Sequence, residues 1–261
     1  MAVFAMAYAI ASLTLVALLL TLLVLLRPSL LVRFLLAPLL PGVIFCGDGR
    51  RREVALTIDD GPSPPGPVAS FGPGASAGTG QSGSMALLAL LRELQVPATL
   101  FVISRHLDRA DPAYLEQALA DGHAIGHHMN EDSVSALLSP ASFRQTFDQA
   151  AADLQGAAAP RGLRLRWFRP GGGWICPSML RSVAQRGYRL VLGSIFPWDT
   201  FHPPVVWMAW FVLRNTHPGA ILVLHDRPDT LPATIELLRR VVPALRQRGY
   251  RFVSLDHLLS S

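Results

Sequence analysis

The sequence predicts an α/β protein in which about seven parallel strands form a closed or nearly closed barrel, preceded by an N-terminal transmembrane helix. Short β-rich runs alternate with helical runs after residue 41, a pattern typical of parallel α/β folds. Seven such repeats suit a barrel, and a doubly wound sheet is the alternative. No strand is followed by a GxGxxG fingerprint, so a dinucleotide site is not expected.

The N-terminal segment predicts a membrane anchor. Residues 3–26 carry no charge and are almost wholly apolar, enough for about 36 Å of helix against a hydrocarbon core of about 30 Å. A cleaved signal peptide is the alternative, but the charged start and small-residue cleavage site are not clear. We therefore predict a transmembrane anchor over 1–28. Arg33 and Pro38 interrupt the next apolar stretch, so 29–41 is predicted to be an interfacial helix or linker.

The remaining elements follow from periodicity and from their boundary residues. Strands are predicted at 54–58, 98–103, 123–126, 165–168, 189–193, 220–224 and 251–255. Helices are predicted at 85–94, 112–120, 140–154, 178–185, 206–214 and 231–248. Ser139 is the expected N-cap of the third helix, and Gly187 and Gly249 end the fourth and the last.

One segment of the predicted catalytic domain, 42–261, does not follow this alternation. Residues 63–84 are rich in Gly, Ser, Ala and Pro and have no periodicity. Such a composition predicts a flexible surface insertion, acting as a spacer.

Composition excludes several kinds of chemistry. The chain is 51% hydrophobic and 16% charged, with a net charge of +5 and no Lys, which excludes Schiff-base and P-loop lysines. The arginines are spread along the chain without interleaved aromatics, so no nucleic-acid partner is expected. Cys46 and Cys176 have no CxxC spacing and predict neither a cysteine zinc site nor a disulfide framework.

Polar residues collect where the predicted strands end, which is where a parallel barrel places its active site. These residues are Asp59 and Asp60, His127 and His128, Arg169, Asp199, and His225 with Asp226. Two adjacent carboxylates repel each other, so a cation must lie with them or one must be protonated. Asp60, His128 and one further ligand would form a divalent-metal site.

The other strand-end residues then suit the remaining steps of a metal-assisted hydrolysis. Asp59 is free to act as the base. His225, on a different strand, would protonate a leaving group. Arg169 would clamp a carboxylate in a fixed fork and pair with Asp199.

The stretch GHHMNEDS at 126–133 offers two candidate pairs. His127 and Glu131 are four residues apart, as are His128 and Asp132, so either pair would share one face of a helix. Spacing alone does not choose between the pairs, and a solvated ion pair or polar turn would have the same pattern.

Five segments carry a family resemblance. They are TIDDGP at 57–62, PATLF at 97–101, GHH at 126–128, FRP at 168–170 and LVLH at 222–225. From about residue 42 to the end, the chain resembles the polysaccharide deacetylases of the NodB-homology type, which include chitin and peptidoglycan deacetylases. The resemblance implies a distorted (β/α) barrel and removal of N- or O-acetyl groups from sugars with a divalent metal, often zinc.

The resemblance also implies roles for individual residues. Asp59 would be the general base, oriented by Arg169, which Asp199 would hold; His225 would be the general acid. Asp60 and His128 would be metal ligands, with His127 beside the site and Glu131 on the surface. A backbone N–H near Gly172 or Gly173 would bind the oxyanion.

The chain departs from the family pattern at two places. Asp132 stands where the family has its second metal histidine, and Gly171-Gly172 replaces a Pro-aromatic pair. We expect Asp132 as third ligand and Trp198 or Trp174 as the missing substrate-lining aromatic. An Asp-His-Asp set is harder than Asp-His-His, so manganese, cobalt or iron are alternatives to zinc.

The expected function is therefore metal-dependent deacetylation of an acetylated glycan. An amidase acting on a non-sugar C–N bond and an inactive, membrane-tethered glycan-binding protein are the alternatives. The family's glycans lie outside the cytoplasmic membrane, which favours an extracytoplasmic domain, whereas the arginines after residue 26 favour the cytoplasmic side. The sequence leaves the oligomeric state open.

Overall fold

The computed structural model describes residues 2–64, 83–158 and 163–260, and its strands all run parallel in one sheet. The strands are β1 (Val43–Ile44), β2 (Glu53–Gly61), β3 (Ala98–Val102), β4 (Ala124–His127), β5 (Trp167–Phe168), β6 (Arg189–Val191), β7 (Ala220–His225) and β8 (Arg251–Val253). The seven predicted strands are confirmed. The two-residue strand β1 was not predicted, because so short a run carries no measurable period.

The helices also follow the predicted order. They are α1 (Ala2–Leu26), α2 (Pro28–Leu31), α3 (Ala37–Leu39), α4 (Gly83–Glu93), α5 (Tyr114–Ala120), α6 (Pro140–Ala157), α7 (Pro177–Gln185), α8 (Val205–Asn215), α9 (Leu231–Gln247) and α10 (Leu255–Ser260). The Ser139 side chain accepts a hydrogen bond from the N–H of Ser142, as an N-cap does. Gly187 and Gly249 have φ of 77° and 80°, a conformation that glycine adopts without the penalty of a Cβ.

The sheet closes on itself by isolated bridges rather than by a full ladder. Its order is β1-β6-β5-β4-β3-β2-β7, with β8 paired to β2. Ile195, just after β6, forms an isolated parallel bridge with Leu222 on β7. The predicted barrel is therefore nearly closed and irregular at the β6–β7 seam.

The hydrophobic core lies on both sides of the central strands. All residues of β2 and β3 are buried, as expected for parallel strands covered by helices. The main cluster joins these strands to α4, α8 and α9. A rigid, buried β2 fixes the position of the acidic residues at its end.

The N-terminal helix α1 stands apart from this core. Large apolar side chains along it are exposed, including Leu13 at 70%. Within the described residues no single helix meets the length and hydropathy criteria for crossing a membrane; Ile10–Leu26 and Pro28–Leu39 meet them together, bent by 101°. The predicted single span at 1–28 is thus not confirmed.

The link between α1 and the barrel packs against the domain. The Asn215 side chain donates to the carbonyl of Leu26 at 3.0 Å and accepts from Ser29 at 2.9 Å. Val32 is buried in a cluster with Val43. Asn215 ends the helix that precedes β7, so α1 joins the barrel at the amino-terminal end of its strands. Most of the predicted insertion, 65–82, lies outside the described residues.

Candidate active site

The two aspartates at the end of β2 are buried where the strand becomes irregular. The pairing of β2 with β3 shifts register between Ile58 and Gly61, and Asp60 has φ of 65°. A local bulge of this kind redirects side chains at a strand end. Asp59 and Asp60 are only 4% and 6% exposed, so their charges require partners inside the fold.

Arg169, just after β5, is the partner of Asp59. Its Nη1 lies 2.6 Å from Asp59 Oδ1 and also donates to Thr57 Oγ1 at 2.9 Å. Its Nε donates to the carbonyl of Val191, and its guanidinium lies 4.2 Å from the centre of the Phe101 ring. These contacts hold the arginine in one orientation, which in turn fixes Asp59. The predicted contact between Arg169 and Asp59 is confirmed.

His128, just after β4, is the partner of Asp60. His128 Nε2 lies 3.2 Å from Asp60 Oδ1, and His128 Nδ1 lies 2.7 Å from the carbonyl oxygen of Arg169. A carbonyl only accepts, so Nδ1 carries a proton and Nε2 faces the carboxylate. Burial favours neutral forms of both groups, but their mutual hydrogen bond and nearby charges lower the pKa of Asp60 to about 2 and raise the pKa of His128.

Asp132, the third expected metal ligand, does not contact Asp60 or His128 but pairs with Arg227. The Asp132 side chain is 53% exposed, and its Oδ2 lies 3.2 Å from Arg227 Nη1. Across the described ranges, no group of three or more His, Cys, Asp or Glu is arranged to hold a metal ion. The segment after His128 is an irregular loop rather than a helix, so the four-residue spacing does not place Asp132 on the face of His128.

Asp60 and His128, two of the three predicted ligands, lie together and would suit a divalent cation, whereas Asp132 lies apart from them. Asp60 offers a carboxylate, and the carbonyl of Arg169 fixes the His128 ring with Nε2 aimed at that carboxylate, as an outer partner of a ligating histidine does. The fit is therefore good for Asp60 and His128 and depends on a movement of Asp132.

Asp199 holds a different residue from the one that we predicted. Its carboxylate lies 3.0 Å from His225 Nδ1 and accepts the backbone N–H of His225 at 2.9 Å. The predicted contact with Arg169 is wrong, since the Ile195–Leu222 bridge brings the turn containing Asp199 beside β7. Burial opposes the charge on His225, but Asp199 outweighs it and raises the pKa of His225 to about 9.

The acid and the base candidates lie on neighbouring strands. Asp59 and His225 are directly paired in the register of β2 and β7. At neutral pH, with a pKa of about 9, His225 carries a proton. The arrangement therefore places a carboxylate and a protonated imidazole side by side, which is what hydrolysis of an amide or ester requires.

His127 and Glu131 lie outside this site. His127 is fully buried and stacked on Phe147, with ring centres 4.1 Å apart. Its Nε2 donates to the carbonyl of Phe147, and burial lowers its pKa to about 4. Glu131 pairs with Arg105 on the surface. The expectations that His127 lies beside the site and Glu131 on the surface are confirmed.

The glycine turn and two aromatic residues form candidate edges of the site. Gly172 and Gly173 have φ of 67° and 72°, which favours glycine. Trp174, directly after them, is 67% exposed, whereas Trp198 is half-buried against the core. Phe201, whose ring centre lies 6.1 Å from that of Trp198, is 76% exposed. Trp174 is thus the more accessible of the two predicted aromatics, and Phe201 was not predicted.

Asp226, which the sequence placed at a strand end without assigning it a role, is a buried carboxylate next to the site. Asp226 is 1% exposed, its Oδ2 accepts from Ser84 Oγ at 2.6 Å, and its carbonyl accepts from Ser63 Oγ. Burial raises the pKa of Asp226 to about 6. Asp226 thereby joins the two ends of the 65–82 segment. Its position directly after His225 was the available signal.

Comparisons with known proteins agree with this geometry. The family model described as polysaccharide deacetylase matches residues 47–191. The peptidoglycan-N-acetylglucosamine deacetylase of Bacillus cereus is 29% identical over 208 residues, covering 79% of this chain and 87% of that protein. The chitooligosaccharide deacetylase of Rhizobium leguminosarum bv. trifolii is 32% identical over 216 residues, covering 78% and 90%.

A solved structure gives the same result for the fold. It is a family 4 acetyl xylan esterase from Clostridium thermocellum in complex with a cobalt ion. It is 28% identical, with a TM-score of 0.65, and the match covers 79% of this chain and 89% of that one.

Proposed function

Because the chain belongs to the polysaccharide deacetylase family, we propose that it hydrolyses acetyl groups from an N-acetylated or O-acetylated glycan with the help of a divalent metal. The observation that carries this proposal is the pair of buried contacts on neighbouring strands. Asp59 is held by Arg169, and His225 is held by Asp199. Peptidoglycan and chitooligosaccharides, named for the relatives, are the substrate classes to test first.

In this proposal Asp59 removes the proton from the attacking water. Its carboxylate is buried and fixed by the Arg169 fork, so the orientation needed for proton transfer is set before substrate binds. Thr57 completes the clamp by accepting from the same Nη1. Arg169 and Thr57 are positioning residues for this base.

His225 delivers a proton to the departing amine or alcohol. Asp199 accepts from Nδ1, which leaves Nε2 as the proton donor toward substrate. The raised pKa of His225, about 9, keeps that proton in place at neutral pH, as a general acid requires. Because β7 is paired with β2, His225 lies next to Asp59, the proposed base, and is positioned to protonate the leaving group.

Asp60 and His128 would hold the metal, with Asp132 as third ligand after it leaves Arg227. A divalent cation there would supply Lewis-acid polarisation of the acetyl carbonyl and lower the pKa of the attacking water. Zinc is the first candidate, with manganese, cobalt and iron as alternatives. The cobalt ion named for the acetyl xylan esterase supports testing cobalt beside zinc.

The glycine turn and the exposed aromatics would contact the sugar. Gly171 has no room for a side chain, since a Cβ would lie 2.1 Å from the carbonyl oxygen of Ser133. The turn therefore keeps its backbone close to the site, where an N–H of Gly172 or Gly173 would bind the oxyanion. Trp174 and Phe201 are exposed and would contact the sugar. Trp198 packs edge-to-face against Phe201.

The domain organisation is part of the proposal. Residues 1–28 would anchor the chain, 29–41 would link it, and 42–261 would form the catalytic domain. The exposed apolar side chains of α1 support membrane attachment. Since α1 joins the barrel at the amino-terminal ends of the strands, the site would face away from the anchor. We propose an extracytoplasmic polymer as its substrate.

Acetate release tests the function. The purified full chain is incubated with N-acetylated chitooligosaccharides and with peptidoglycan fragments, beside acetylated xylan as the ester substrate. We expect acetate from at least one substrate, released at least about 10²-fold more slowly by the Asp59→Asn variant. Equal acetate release by that variant would contradict the assignment of Asp59.

An inactive glycan-binding protein is the second candidate, and the pairing of Asp132 with Arg227 favours it. If this candidate is right, the wild type binds the glycan but releases no more acetate than the Asp59→Asn variant does, whichever metal is added. Metal-dependent turnover of any acetylated glycan would rule it out.

A further inference from the structure

Arg227 places a positive charge among the carboxylates of the proposed metal site. Its Nη1 lies 3.2 Å from Asp132 Oδ2 and 3.8 Å from Asp60 Oδ2. Its Nε lies 3.2 Å from Asp229 Oδ1. The guanidinium thus reaches two of the three residues expected to hold the metal.

The two oxygens of Asp60 are divided between two partners. Oδ1 faces His128 Nε2, and Oδ2 faces the guanidinium of Arg227. Asp60 is 6% exposed, so its charge is compensated by these protein groups rather than by bulk water. A divalent cation that binds Asp60 would therefore compete with the guanidinium of Arg227 for the same carboxylate.

The backbone of Arg227 is held by hydrogen bonds, while its side chain is partly exposed. Its N–H bonds Thr230 Oγ1, and its carbonyl accepts from the N–H of Leu231 at the start of α9. The side chain itself is 38% exposed and keeps Asp229 as a local partner. Because Nε already pairs with Asp229, this contact remains available when Nη1 leaves Asp60 and Asp132, without any change in the fold.

We propose that Arg227 is an internal cation that competes with the divalent metal for Asp60 and Asp132. This inference rests on the proposed metal site. Loading the site requires the guanidinium to leave both carboxylates, and Asp132 becomes a ligand only after that exchange. Asp132, the third ligand, and Arg227, its competitor, are 95 positions apart in the chain. In this proposal Asp132 binds either Arg227 or the metal.

The exchange explains why the residue at 132 is an aspartate. A histidine at 132 would offer Arg227 no charged partner, whereas a carboxylate is shared by a guanidinium and a metal ion. Affinity for the metal is then lower than an Asp-His-Asp set alone would give, because two positive charges at one carboxylate repel each other.

Metal affinity of the full chain tests the inference directly. Dissociation constants for Zn²⁺ and Co²⁺ are measured by chelator competition for the wild type, Arg227→Gln and Arg105→Gln. Arg105 is the matched control, since it forms an exposed ion pair with Glu131 on the same loop. We expect Arg227→Gln to bind metal about tenfold more tightly and Arg105→Gln to bind as the wild type does.

A double-mutant cycle with Asp132→Asn tests the exchange itself. We expect Asp132→Asn to cost more metal affinity in the Arg227→Gln background than in the wild type. In the wild type, the loss of the ligand is partly offset because the ion pair with Arg227, which metal binding must break, is lost as well. We also expect a larger rise in Tm on metal addition for Arg227→Gln than for the wild type. If Arg227→Gln does not fold, Arg227→Met, which removes the charge but keeps a long side chain, is expected to bind metal more tightly than the wild type.

Equal or weaker metal binding by the folded Arg227 variant would overturn the inference. So would the absence of any metal binding by both proteins, which would also overturn the metal site. Acetate release is scored separately: tighter binding in Arg227→Gln without any deacetylation would leave the exchange standing and refute the proposed function.

Discussion

The backbone carbonyl of Arg169 accepts a hydrogen bond from His128 Nδ1 at 2.7 Å, while the side chain of the same arginine lies 2.6 Å from Asp59. One residue thus orients both the proposed base and a proposed metal ligand. The backbone contact depends only on the course of the chain after β5, whereas the side-chain contact depends on the guanidinium. Substitutions at position 169 therefore separate these two effects.

Arg169→Lys is expected to lower kcat/KM by about 10²-fold or more. Lysine keeps the charge but loses the fork that joins Asp59, Thr57 and the carbonyl of Val191. Metal affinity should change little, because the carbonyl that holds His128 remains. Steady-state kinetics and metal titration check the two parts. Arg166→Lys, at an exposed ion pair with Asp256, is the control, and unchanged kinetics at position 169 would refute the clamp.

Asp59→Asn is expected to reduce kcat by about 10²- to 10⁴-fold, the range for loss of a general base. Asparagine is nearly the same size as aspartate, and its side-chain oxygen still accepts from Arg169, so the fold should persist. Circular dichroism and metal titration verify that the variant is intact. Asp148→Asn, which removes an exposed partner of Arg186, should keep full activity. A variant at position 59 with wild-type kcat would mean that another group is the base.

The dependence of kcat on pH should show the ionisation of His225. With a pKa raised to about 9 by Asp199, the imidazole stays protonated, and activity should fall as pH rises through about 9. Asp199→Asn removes the charge that raises this pKa, so the alkaline fall should move to lower pH. The pH dependence of kcat checks both statements, and an alkaline limb that does not move would show that Asp199 does not set the pKa of the acid.

The same pair should stabilise the fold in a defined pH window. The folded pKa of His225 lies above the ordinary value near 6.5. The stabilisation is therefore complete below about pH 6.5 and is lost as pH rises through about 9. Urea unfolding at pH 6, 8 and 10 is expected to show a larger difference between wild type and Asp199→Asn at pH 6 than at pH 10.

Asp226→Asn should stabilise the protein at alkaline pH. Burial raises the pKa of Asp226 to about 6 from 3.8, so ionisation in the folded state becomes unfavourable as pH rises through that range. Asparagine accepts from Ser84 without carrying a charge. We expect a gain in unfolding free energy of up to about 3 kcal/mol at pH 8 and little difference at pH 4. A loss of stability at pH 8 would contradict this account of the buried carboxylate.

Much of this site is visible in the sequence, because parallel strands bring their carboxyl ends together. The pattern therefore located Asp59, Asp60, His128, Arg169 and His225 from four separate segments. Partner choice was harder to predict. Asp199 pairs with His225 because an isolated bridge at Ile195 brings the following turn beside β7, and such a bridge has no periodic signal.

The contact between Asp132 and Arg227 shows a second limit. Four-residue spacing suggested a shared helical face for His128 and Asp132, but the segment is a loop, and Asp132 meets a residue 95 positions away. Arg227 follows a strand end by two residues, but the strand-end argument did not include it. Long-range pairing of exposed charges depends on loop geometry, which local propensity does not determine.

Metal-dependent acetate release tests the central claim most directly. The purified chain is stripped with chelator, dialysed, and assayed on N-acetylated chitooligosaccharides and peptidoglycan fragments before and after addition of Zn²⁺ or Co²⁺. We predict that stripping abolishes acetate release and that one of these metals restores it in the wild type but not in Asp59→Asn. Undiminished acetate release after complete metal removal would contradict the proposed metal-assisted mechanism.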